Sequence, residues 1–83
     1  MSLSSEIMKL SHDVAAESRK AGRANPDVND IFNATKRSYD NLITLGNAAK
    51  QLKRRDLQNL VLRINRDLKT LNLELTKAWE DAN

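Results

Sequence analysis

From Asp56 to Ala82 the chain reads DLQNLVLRINRDLKTLNLELTKAWEDA, a run with neither glycine nor proline. Leu57, Leu60, Val61, Ile64, Leu68, Leu71, Leu75, Ala78 and Trp79 recur through it at helical spacing. At ~100° per residue they fall on a stripe ~100° wide, which predicts a helix over 56–82 with one buried face. Such a stripe must be covered, and the upstream residues have to supply the cover.

Little else is available to hold the chain together. A chain of 83 residues is one small domain, 1–83, near the size at which a lone hydrophobic core only just suffices. It has no cysteine, so neither a disulfide framework nor a thiolate metal site can add stability. Its aromatics are Phe32, Tyr39 and Trp79, which leaves an aliphatic core. Domains of this kind are often completed by self-association or by a partner, so an oligomer is within the expectation.

Upstream, Ser4 or Ser5 can cap a first helix over about 4–21, with Glu6 in its first turn. Its apolar face is thin: Ile7, Leu10, Val14 and Ala21, with Ser11 and Ser18 among them. Arg19, Lys20 and Arg23 suit its C-terminal end, and Gly22 is a natural stop. Asn25-Pro26-Asp27 then predicts a new start, with Asn25 as N-cap and Pro26 in the first helical position. Val28, Ile31, Phe32, Thr35, Tyr39, Leu42, Gly46 and Ala49 form the expected buried face of a second helix over about 26–54.

Two points in that helix admit two readings. Gly46-Asn47 is either a break or a tolerated glycine at a packed crossing. The apolar phase continues through Ala49 and Leu52, which favours the crossing. The segment Lys53-Arg54-Arg55-Asp56 is the expected turn, with Asp56 capping the third helix. A continuous helix over 26–82 is the alternative, because the turn holds no glycine or proline and the stripes are nearly in phase. The hairpin is favoured. The fold expected is therefore all-α: an antiparallel hairpin with a shorter N-terminal helix packed on it, a three-helix bundle. The apolar spacing stays near 3.6 and not 3.5, which disfavours a long coiled coil.

Catalytic chemistry finds few residues to work with. His12 is the only histidine, beside Asp13 and near Glu17, and no further ligand is signalled for a metal. No phosphate loop, HExxH or nucleophile elbow occurs, so neither enzyme activity, a cofactor nor a small-molecule substrate is expected. The longest apolar run, Leu60-Val61-Leu62, is far short of a membrane span. MSLSSEIMKL lacks the pattern of a signal peptide, and a cytoplasmic location is expected, with leaderless secretion giving the same sequence.

Two surfaces remain as candidates. Leu62 and Leu73 project opposite the stripe of the third helix, with Arg66 and Lys69 between them, and suggest a contact surface to be covered by the first helix, by another protein or by a second copy. Trp79 is read first as core packing and second as an interface anchor. The net charge of +3 is concentrated between positions 50 and 69, where Lys50, Lys53, Arg54, Arg55, Arg63, Arg66 and Lys69 face only Asp56 and Asp67. Lys50, Lys53, Arg54, Arg55 and Arg63 are the candidate contacts for an anion or nucleic acid. Stacking on nucleic acid would need exposed aromatics, whereas all three lie on the expected buried stripes. The function expected is a non-catalytic helical interaction module, such as an adaptor, small chaperone, inhibitor or immunity-type protein. A small basic nucleic-acid-binding protein is the alternative.

Overall fold

The computed structural model describes residues 2–82. Three helices follow one another: α1 (Leu3–Ala21), α2 (Val28–Gln51) and α3 (Arg55–Ala82). Each packs on both others, and the bundle measures 45 × 19 × 16 Å. At 1.5 Å per residue α3 alone is about 42 Å long, so it runs the full length of the molecule. No helix among the described residues is long and apolar enough to cross a membrane.

Each helix begins slightly away from the position that the sequence suggests, for a local reason. α1 is capped by Ser2 and not by Ser4 or Ser5, because the Ser2 hydroxyl accepts from the Ser5 amide at 3.1 Å. This lets Leu3 pack on the core as the first helical residue. α2 is capped by Asp27, whose carboxylate accepts from the Asp30 amide at 3.1 Å. Asn25, expected as the cap, instead takes the left-handed conformation at φ 55°, which asparagine tolerates in turns. Pro26 therefore precedes the helix.

The second turn closes without glycine. α2 ends at Gln51, with Leu52 as C-cap and Lys53 left-handed at φ 56°. The Lys53 amide donates to the Lys50 carbonyl at 3.1 Å and the Arg54 amide to the Ala49 carbonyl at 3.2 Å. That pair of bonds is a Schellman motif, with lysine where glycine is usual. α3 is already helical at Arg55, so Asp56 is not its cap. Asp56 lies in the first turn, where Arg54 Nε and Nη2 donate to its two oxygens at 3.0 and 2.8 Å.

The turn makes α2 and α3 an antiparallel hairpin, and their contacts step down the seam. Gln58 Nε2 reaches the Ala49 carbonyl at 3.5 Å. One turn further on, a Cβ on Gly46 would lie 3.3 Å from Val61 Cγ1. Gly46 is thus a helical residue at a close crossing and breaks nothing. Ile7, Leu10, Val14, Leu42, Leu45, Ala49, Leu57, Ile64 and Leu68 form the larger core cluster, and Ile31, Leu71 and Leu75 the smaller one. Thr35 is buried with its hydroxyl donating to the Ile31 carbonyl at 2.8 Å, so its burial leaves no polar group unsatisfied.

The core departs from the sequence reading in one systematic way. Leu45, absent from the expected face of α2, is buried. Phe32, Tyr39 and Trp79, expected inside, are 40%, 38% and 55% exposed. α2 is covered by α1 on one flank and α3 on the other. Its buried arc is consequently centred on Ile31, Thr35, Leu42, Leu45 and Ala49, and the aromatics fall at the rim.

Candidate interaction surface

α1 covers only one of the two seams of the hairpin. On its own side it lines a polar groove with α2, built from Asp13, Glu17, Lys20, Arg37, Ser38 and Asn41 around Leu10. Lys20 Nζ pairs with Glu17 Oε1 there at 3.3 Å, while Glu17 Oε2 is buried without a hydrogen-bond partner. His12 is exposed. Among the described residues no group of three histidine, aspartate or glutamate side chains is arranged to hold a metal ion.

The opposite seam is lined by α2 and α3 alone, and it is where the aromatic residues have gone. One cavity of about 440 Å³ is bounded by Phe32, Thr35, Lys36, Tyr39 and Asp40 of α2 and by Leu68, Lys69 and Asn72 of α3. A second, of about 250 Å³, adjoins it through Phe32 and continues between Val28, Leu75, Thr76 and Trp79. Lys36 Nζ lies 5.1 Å from the centroid of the Phe32 ring, close enough for a cation–π contact. The three aromatic residues of the chain thus share one groove on the face turned away from α1. The sequence reading missed this groove. The available signal was the i, i+7 spacing of Phe32 and Tyr39 on a face that also carries the small residues Thr35, Gly46 and Ala49.

Apolar exposure extends outward from both walls. On α2, Ile43 is exposed one turn beyond Tyr39 and on the same flank. On α3, Leu62 and Leu73 are 62% and 72% exposed, as their phase opposite the stripe required. Arg66 and Lys69 are exposed between them. Lys69 belongs to both features, since it also lines the groove. Trp79, at the far end, stands beside Val28 and not within the core.

The other candidate residues gather elsewhere. Lys50, Lys53, Arg54, Arg55 and Arg63 are all exposed around the α2–α3 turn, at the end of the bundle opposite Trp79. Some 24 residues of α3 separate Arg55 from Trp79, about 36 Å of helix. Arg54 is engaged by Asp56, which holds the guanidinium pKa above its ordinary value. Its two hydrogen bonds are the main cause of the depressed Asp56 carboxyl pKa. The basic turn and the aromatic groove are therefore two separate surfaces.

No protein-family model matches this chain, and no curated protein or solved structure matches it either.

Proposed function

We propose that the protein is a non-catalytic interaction module that binds another protein through the α2–α3 side of the bundle. The observation that carries this reading is the distribution of exposed large apolar side chains. Phe32, Tyr39, Ile43, Leu62, Leu73 and Trp79 are all on α2 or α3, and Leu52 is exposed at the C-cap of α2, whereas α1 contributes only Met8. Scattered exposed leucines need no explanation, but large apolar side chains gathered on one side of a small domain support an interaction site. Each of the six side chains on α2 and α3 is at least 38% exposed.

The basic turn supports nucleic-acid binding as the second reading, on the observation that Lys50, Lys53 and Arg55 are exposed together at one end. Phosphate contacts of that kind are weakened by salt. A tagged pull-down from source-cell lysate, with and without nuclease, separates the two. The interaction module predicts a discrete, stoichiometric protein band that survives nuclease. It also predicts that the band weakens when Ile43→Glu is combined with Leu62→Ser and Leu73→Ser, and not with His12→Ala. A spread of material that vanishes with nuclease, and with Glu at positions 53, 54 and 55, would replace it with the second reading.

A further inference from the structure

The hairpin has two seams, and α1 shows what kind of element fits one. It seals its seam with a thin stripe, Ile7, Leu10 and Val14, at spacings of three and four. The other seam has an apolar floor of Val28, Leu68 and Leu75, aromatic walls, and one ammonium group on each wall, Lys36 from α2 and Lys69 from α3. Asp40 is the one carboxylate among its lining residues. We infer that this groove receives an acidic amphipathic helix of a partner protein, about three turns long. The inference rests on the interaction-module reading and adds to it the face and the chemistry of the partner.

Length and charge define that occupant. Val28 to Tyr39 on α2 and Leu68 to Trp79 on α3 each span roughly 16 Å, which is about three turns of a docked helix. A helix of that length offers apolar side chains at i, i+4, i+7 and i+11 to the floor, as in helix-in-groove recognition. Carboxylates flanking that stripe meet Lys36 and Lys69, which select the sign of the partner's charge. A second copy placed groove to groove brings the same two lysines and no acidic stripe. A base stacking on the face of Phe32 that Lys36 covers would have to displace Lys36, and the basic turn stands about 20 Å along α3 from Leu68.

Trp79 is the only tryptophan and lines the groove, so its emission reports occupancy. The probes are two tryptophan-free synthetic helices of about fourteen residues. Both carry leucine at i, i+4, i+7 and i+11; one has glutamate on both flanks of the stripe, and the other has lysine. The acidic peptide is expected to give a saturable blue shift and to bind about tenfold more tightly than its lysine counterpart, as two exposed ion pairs allow. Lys36→Glu combined with Lys69→Glu should reverse the preference, with the circular dichroism spectrum unchanged. Equal affinity for the two peptides, no response to either, or a preference indifferent to charge reversal would overturn the inference. So would a blue shift produced by raising the protein concentration alone, which would make the occupant a second copy, or competition by a thymidine oligonucleotide. If the peptides fail while the lysate band persists and is lost with Leu62→Ser and Leu73→Ser, the module stands and only the groove assignment falls. If no band forms, the module reading itself falls.

Discussion

Lys53 occupies a left-handed position that the geometry of the turn imposes. For a residue with a Cβ that conformation costs about 1–2 kcal/mol, which glycine avoids while paying more entropy in the unfolded chain. Lys53→Gly is therefore expected to raise stability by roughly 0.5–1 kcal/mol in urea denaturation. Gly46 poses the opposite question. Alanine would gain about 1 kcal/mol of helix propensity, but its Cβ would lie 3.3 Å from Val61 Cγ1. Gly46→Ala should thus be nearly neutral in the wild type and stabilising by about 1 kcal/mol relative to Val61→Ala when that change is also present. A double-mutant cycle reads the difference. The Arg54–Asp56 pair carries a pH signature, since the folded Asp56 carboxyl titrates below its ordinary range. The contribution of the pair is present above the ordinary carboxylate pKa and is lost as pH falls through the folded value. Both side chains are exposed, so its effect on stability is small, and the clearer readout is NMR titration. Arg54→Ala should move the Asp56 pKa upward.

At the scale of elements, α3 organises the bundle because its stripe meets both other helices. Leu68 is buried among residues from α1, α2 and α3. Leu68→Ala is expected to cost about 2–5 kcal/mol, a large share of the stability of so small a domain. Leu62→Ser and Leu73→Ser, on the outer flank, should each change stability by no more than about 0.5 kcal/mol. Thermal denaturation of the three variants checks the contrast, and a comparable loss at Leu62 or Leu73 would place those residues in the core. The existence of the three helices was legible in the sequence because the periodicity of α3 and the start signal near Pro26 are local. The limits of burial on α2 were less so. A single stripe through α2 takes in its aromatic residues, Phe32 and Tyr39, whereas two covering helices shift the buried arc toward Leu45. Trp79 lies outside the core for a related reason. Its phase belongs to the stripe, but at its level α3 faces Val28, the first residue of α2.

At the scale of the whole molecule, one short helix closes one side of a longer hairpin and leaves the other side open. The candidate surface was half legible from sequence. Leu62 and Leu73 were recognisable because their phase opposes the stripe, a property of one helix. The groove joins residues from α2 and α3 whose alignment depends on the register of the hairpin, and no spacing within either helix encodes that. The same register separates the basic turn from the aromatic residues. The most direct test of the open α2–α3 side as the working face is photo-cross-linking in source cells, with p-benzoylphenylalanine at position 32 in the groove or at position 12 on the outside of α1. A discrete protein adduct from position 32, and none from position 12, is the result predicted. Adducts of equal yield from both positions, or an adduct from position 12 alone, would contradict it.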